Sequence, residues 1–418
     1  MDPDPTRNHA WQVAALRRRQ PAGIQSPKSV LRAESTDVTV QDMELVPGLA
    51  GIPAAESCIS FIDGQAGILE YRGHRIEVLG EKSSFEEIAW LLLHGSLPTQ
   101  SELDGFSARL AEARKIPDAL VNVIESFPAD AHPMDALQAG LAVLGMVSPK
   151  VTKLTDPEQV DEAAIRLIAA TGPIIAAFER RRRGESYIQP DPELSCAANF
   201  LYQLNGKKPS ELEARVLDVA LVLHADHTMN ASTFAARVVA STEADPYTVA
   251  SSAVGALTGP LHGGANERVL NQLESIGGVD KVEAWFDEMN ASKKKIMGFG
   301  HRVYKTKDPR ATALQGLVRD LFAAEGTTPI YDTALALEKC VVDKLGDRGI
   351  HPNVDFFSGI VYQKMGIPTD AFTPIFALSR IAGWMAHWKE QMKDNKLFRP
   401  GQIFTGSHDG VYTPIEER

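Results

Sequence analysis

Apolar residues recur every three to four positions along most of this chain, and that spacing predicts amphipathic helices. It holds over residues 134–146, 162–179, 211–225, 246–256 and 331–345. Ser84 opens a further run over 85–93, with Glu86 and Glu87 in its first turn. A serine oxygen can accept an unpaired backbone N–H there, and acids favour the positive end of the helix dipole. Asn205-Gly206 and Gly366-Ile367-Pro368 read as turns between such segments. Near the start the period changes. Ile59 and Phe61, then Ile68, Leu69 and Tyr71, flank Asp63-Gly64-Gln65-Ala66-Gly67, and Gly73 precedes Ile76 and Val78. Residues 57–79 therefore read as short hairpins with glycine turns. There is no strand–helix alternation and no internal repeat. The expected fold class is all-α, with minor β-structure near the N-terminus.

A chain of 418 residues is long for one core, and suggests two domains or one with a large insertion. The net charge of −11 argues against a general nucleic-acid binder. No apolar run reaches the roughly 18–20 residues needed to cross a bilayer. Neither nucleic acid nor membrane is thus expected as a partner. Three widely spaced cysteines, Cys58, Cys196 and Cys340, give neither a disulfide framework nor a metal signature, and fit a reducing cytoplasmic compartment. Between Pro5 and Ala33 lie Arg7, Arg17, Arg18, Arg19, Lys28 and Arg32 with no acid. That stretch reads as a disordered tail. Its composition also suits an organelle-targeting peptide, against which Asp2 and Asp4 count.

Three loops place a titratable residue among glycines, prolines or aromatics. In Gly259-Pro260-Leu261-His262-Gly263-Gly264, His262 precedes a run with Val269, Leu270, Leu273 and Ile276 at helical spacing. The positive helix end should keep this imidazole neutral, able to donate to an enolate oxygen; a plain capping loop is the other reading. In Gly298-Phe299-Gly300-His301-Arg302, His301 sits inside 293–310, which holds seven basic residues and one acid. A solvated lysine face would explain the run, and so would an anion pocket, with glycines admitting a ligand close to the backbone. In His351-Pro352-Asn353-Val354-Asp355-Phe356-Phe357, desolvation should raise the pKa of Asp355 and make it a better base towards a carbon acid. His224 and His227 could face one way on a helix, but no third ligand follows in a metal-binding pattern, so no metal is expected. Phosphate-loop, dinucleotide and GxSxG motifs are absent. What remains is acid–base chemistry on a multiply anionic substrate.

Taken in order, several of these segments resemble the citrate synthase family. They are Leu223-His224-Ala225-Asp226-His227-Thr228-Met229-Asn230-Ala231-Ser232, then residues 259–266, 298–310 and 353–359, Ser379-Arg380-Ile381-Ala382-Gly383-Trp384, and Arg399-Pro400. The similarity runs from about Leu45 to the C-terminus. It implies citrate synthesis from acetyl-CoA and oxaloacetate, with CoA entering as substrate and no resident cofactor. Asp355 would take the methyl proton, His262 would stabilise the enolate, and His301 would polarise and protonate the ketone. His227, Arg310, Phe376 and Arg380 would hold oxaloacetate, with Arg399 entering from a second subunit. Arg302, Lys305 and Lys307 would meet the CoA phosphates. The resemblance further implies at least a homodimer. Residues 1–40, read from composition as a disordered extension, lie outside it; the resemblance implies a large helical domain from 41–263 and 367–418, and a small domain, 264–366, that closes over the site. A 2-methylcitrate synthase using propionyl-CoA fits the same residues. A non-catalytic acyl-CoA-binding scaffold would be expected to lack one of the three.

Overall fold

The computed structural model describes residues 44–301, 303–304 and 306–418. Pro53–Pro400 forms one compact unit; the described residues 44–52 belong with Gly401–Arg418 to another. The expected tail over 1–40 lies outside the described residues, as do Arg302 and Lys305.

The larger unit begins with a three-stranded antiparallel sheet, β1 (Ser60–Asp63), β2 (Ile68–Tyr71) and β3 (His74–Arg75), in which Ser60 pairs with Tyr71. The rest is helical. The helices are α1 (Ile76–Lys82), α2 (Phe85–His94), α3 (Gln100–Ala113), α4 (Asp118–Ser126), α5 (Pro133–Val147), α6 (Pro157–Arg182), α7 (Cys196–Asn205) and α8 (Glu211–His224). Then come α9 (Ala231–Ala240), α10 (Pro246–Thr258), α11 (Ala265–Ile276), α12 (Val282–Ala291), α13 (Pro309–Glu325), α14 (Pro329–Leu345), α15 (Val354–Lys364) and α16 (Phe372–Lys393). The all-α class with a small N-terminal sheet is what the apolar spacing predicts. One expectation fails: Ile76 and Val78 open α1 rather than continue a hairpin. Ile76 and Leu79 are buried while Val78 is exposed, a three-residue period that a two-residue reading misses.

Caps behave as the sequence suggests. Ser84 accepts the Glu87 N–H at 3.2 Å, and Gly206 ends α7 in the left-handed conformation that glycine tolerates. At the centre runs α16, packed against α2, α6, α8, α9 and α10. Almost its whole surface from Phe372 to Trp388 is buried, including Trp384 and Trp388. A helix apolar on every side shows no amphipathic stripe, so periodicity alone does not single it out. Arg380 and His387 are buried on it, and a charge is retained at such depth only with partners or a task.

Candidate active site

His262 follows α10 on a tight turn, its backbone N–H and that of Gly263 both donating to the Gly259 carbonyl. Gly263 has no room for a side chain, because a Cβ would lie 2.1 Å from the Leu257 carbonyl oxygen. Thr373 of α16 pins the turn by accepting the Gly264 N–H at 3.1 Å. The Ser232 backbone N–H donates to His262 Nε2 at 3.2 Å, and the Ser232 hydroxyl lies 2.8 Å from the same nitrogen. An Nε2 that accepts leaves the proton on Nδ1. Burial, then Arg380, pushes the imidazole down to about 4. Desolvation and the nearby Arg380 cation thus leave His262 a neutral donor near pH 7.

His301 and Asp355 are set by one side chain. Asn353 caps α15, its Oδ1 accepting the Asp355 N–H at 3.1 Å, while its Nδ2 donates to the Gly300 carbonyl at 2.9 Å. A bridge between Phe299 and Pro352 and the Gly300 N–H to His351 carbonyl bond (2.9 Å) complete the stitch. His301 Nδ1 accepts the backbone N–H groups of Val303 (3.0 Å) and Tyr304 (3.2 Å), so this ring carries its proton on Nε2. The flanking glycines have left-handed backbones. A Cβ at Gly298 would strike Phe356 and Val269 at 2.8 Å, so this glycine serves internal packing rather than ligand approach.

Asp355 is half-buried, and its carboxylate accepts no hydrogen bond from the other described residues. Burial pushes it up from the ordinary carboxylate range; Arg310, Arg268 and Arg380 pull back, and Asp308 adds to the rise. An acid held this way is a proton acceptor with little solvation to lose.

His227, Arg310, Phe376 and Arg380 gather together. The His227 ring lies 5.5 Å from His301 and 5.8 Å from Tyr304, whose hydroxyl is 3.2 Å from His227 Nε2. Burial, Arg310 and Arg380 hold His227 well below the usual histidine range. Arg380 donates through Nε to the His224 carbonyl at 2.7 Å and stacks its guanidinium 4.5 Å from the Phe376 ring. Burial lowers it to about 10, so it stays cationic at neutral pH, and neither Nη group pairs with an acid among the described residues. Its field reaches His262, His227 and Asp355 alike. Arg310 is more committed, since Nε and Nη2 grip Asp308 at 3.1 and 2.9 Å. Asp308 also caps α13, with Pro309 at its first position.

The basic stretch divides. Lys293, Lys294 and Lys295 form a solvated face, Lys307 donates to Gln315 at 3.0 Å, and Arg310 alone of these five is buried. Arg399 is exposed and makes no hydrogen bond or ion pair among the described residues. His224 is buried, with Nδ1 2.7 Å from the Ala220 carbonyl and burial lowering it to about 3. Among the described residues no group of three or more His, Cys, Asp or Glu is placed to hold a metal. Ser232, Tyr304, Asp308 and Asn353 escape a search for titratable loops. Their signal is positional, each standing at a helix start or within three residues of a candidate histidine or arginine.

Residues 48–401 match the family model for the citrate synthase C-terminal domain. A citrate synthase of Synechocystis is 53% identical over 89% of this chain and 93% of its own length. The crystal structure of citrate synthase from Pyrobaculum aerophilum superposes with a TM-score of 0.84 at 42% identity, covering 90% of this chain and 95% of that one. The structure of the ternary complex of citrate synthase from Thermoplasma acidophilum with carboxymethyl coenzyme A and oxaloacetate gives a TM-score of 0.83 at 35% identity, covering 90% of this chain and 100% of that one.

Proposed function

This chain belongs to the citrate synthase family and is an acyl-transferring enzyme of that type, and from this premise we propose how its residues make citrate. Asp355 removes a proton from the methyl group of acetyl-CoA. His262 donates from Nδ1 to the enolate oxygen that forms. The nucleophilic carbon attacks the ketone of oxaloacetate, whose oxygen takes the Nε2 proton of His301 as the new bond closes. Water then cleaves the citryl-CoA thioester to citrate and CoA. A thioester methyl is a very weak carbon acid, so the base and the two donors must act on one positioned substrate pair.

The observation that carries this reading is the pair of fixed tautomers. Backbone N–H groups hold His262 with its proton on Nδ1 and His301 with its proton on Nε2, beside a carboxylate raised by burial. Two donors and one base are what the condensation requires. For oxaloacetate the cations are graded. Arg380 has both Nη groups to offer, Arg310 only Nη1, and Arg399 of the partner subunit completes the set. That last role makes a homodimer the smallest active unit. Residues 264–366 serve as a closing small domain, excluding water from the thioester. Lys307, with Arg302 and Lys305, takes the CoA phosphates once it leaves Gln315. A cytoplasmic setting belongs to the same proposal, supported by three free thiols; no helix among the described residues is long and apolar enough to cross a membrane.

A thiol-release assay with oxaloacetate and either acetyl-CoA or propionyl-CoA tests the reading. Faster turnover with acetyl-CoA is expected. A clear preference for propionyl-CoA would overturn it, since one methylene is worth only about 1–3 kcal/mol and the pocket must have been shaped for it.

A further inference from the structure

Beneath the oxaloacetate side of the site runs a buried chain of charged and polar groups that the condensation does not use. Glu390 Oε2 accepts from Arg237 Nη1 at 2.8 Å. The same Nη1 lies 3.0 Å from His387 Nδ1. A guanidinium cannot accept, so Nδ1 must, and His387 is neutral with its proton on Nε2. That nitrogen is 3.3 Å from Asp226 Oδ1 and 3.4 Å from Oδ2. Oδ1 has no other polar partner among the described residues. Oδ2 accepts the Ser60 hydroxyl and, at 3.2 Å, the Thr228 N–H. Asp226, His387 and Arg237 are all buried, at 0%, 1% and 3% exposure.

The segment at the end of this chain carries strain. Thr228 has φ +52°, a left-handed conformation that a β-branched residue rarely adopts. It follows His227 directly, and its N–H is shared between Ser60 Oγ (3.1 Å) and the Asp226 carboxylate. Tyr71 grips the same peptide from below, its hydroxyl donating to the Asp226 carbonyl at 2.9 Å and accepting the Asp226 N–H at 3.1 Å. A strained residue persists where its surroundings over-determine it; here the N–H is held by Ser60 and the Asp226 carboxylate, and the carbonyl by the backbone and side chain of Asn230. Gly383 of α16 leaves room for that carboxylate, since a Cβ would lie 2.6 Å from Oδ1.

We propose that His387, with Ser60 on the other side of Asp226, is a positioning residue for oxaloacetate. By holding the Asp226 carboxylate from α16 and β1, the two fix the His227–Thr228 turn and aim the His227 ring towards His301 and Tyr304. The inference rests on His227 being an oxaloacetate contact. Neither residue touches the reacting atoms, so their loss weakens substrate binding and leaves the chemical step standing once substrate is bound.

The test uses the full-length enzyme and reads kcat and KM separately by thiol release. His387→Ala is expected to raise KM for oxaloacetate by about tenfold or more, as befits a lost hydrogen bond to a buried charged group, and to change kcat less than about threefold. His387→Gln, whose amide can accept from Arg237 and donate to Asp226, should restore most of the affinity. Ser60→Ala lies at the half-buried sheet edge and carries the same test if His387→Ala does not fold. It too should raise oxaloacetate KM at nearly constant kcat. A merely structural role would lower melting temperature and active fraction with KM unmoved, and that result in the folded variants overturns the proposal. A wild-type enzyme that releases no thiol from acetyl-CoA would instead overturn the underlying functional reading.

Discussion

Replacing Asp355 by asparagine separates catalysis from stability at a single atom pair. The carboxylate accepts no hydrogen bond from the described residues; Asp355 is tied through its backbone, the N–H to Asn353 and the carbonyl to the Ser358 hydroxyl. An amide of the same shape therefore breaks nothing that holds α15. Burial raises the folded-state pKa above that of the unfolded chain, so the ionised form is penalised in the fold. That penalty is absent below the unfolded carboxylate range and complete once pH has passed the raised folded value. Asparagine never incurs it. At pH 7.5 Asp355→Asn should thus melt no lower than the wild type, with any advantage shrinking on acidification. Activity should move the other way. General-base assistance is worth about 100- to 10,000-fold, or about 3–5 kcal/mol of activation free energy. Thiol release at saturating substrates, beside calorimetric binding of oxaloacetate and thermal denaturation, reads all three quantities. A variant within about threefold of wild-type kcat, or one losing activity only in step with its folded fraction, refutes Asp355 as the base.

Other consequences follow from the same geometry. His262 and His224 are held neutral, lowered to about 4 and about 3. Their contribution to stability is complete above the unfolded histidine pKa of about 6.5 and is lost as pH falls through those folded values; melting curves at pH 7.5, 5.5 and 4.5 should show a loss across this window, smaller in His262→Asn. Arg380→Lys keeps the charge but cannot both donate to the His224 carbonyl and present a fork, so oxaloacetate affinity should fall by about 2 kcal/mol or more, measured by calorimetry. Gly383→Ala would drive a methyl to within 2.3 Å of the Ala225 carbonyl oxygen. It should cost about 1–3 kcal/mol in denaturant unfolding and raise oxaloacetate KM.

The helices that face both core and solvent were legible because their sequences carry the period of the fold. Residues 211–225 and 331–345 coincide with α8 and α14 to within a residue or two. Caps such as Ser84 were legible for the same reason, since the residue that satisfies a helix start stands within three positions of it. The exception at Ile76 arises where a strand ends and a helix begins without a break, so that two periods share one short apolar run. Within α16 the signal vanishes altogether. When every face is buried, no polar stripe marks the register, and its length and centrality come from tertiary packing.

The site divides along the same line. His262, His301 and Asp355 stand in loops whose glycines, prolines and aromatics advertise irregular backbone, so each could be named. The pattern also supplied a direction for two of them, a raised Asp355 and a neutral His262; what it could not supply was which distant residues share in the tuning. For His262 the helix start was visible in sequence, whereas the field of Arg380, which with burial lowers it, comes from 118 positions away. The basic stretch over 293–310 looked uniform in sequence yet splits in space, because three consecutive lysines stay solvated while Arg310 turns inward onto Asp308. Asp226 is the extreme case. It stands between two histidines with no signal of its own, and its partners Ser60 and His387 lie 166 and 161 residues away. A role defined entirely by long-range partners leaves no local trace, which is why the residues that aim the site are harder to find in sequence than those that react.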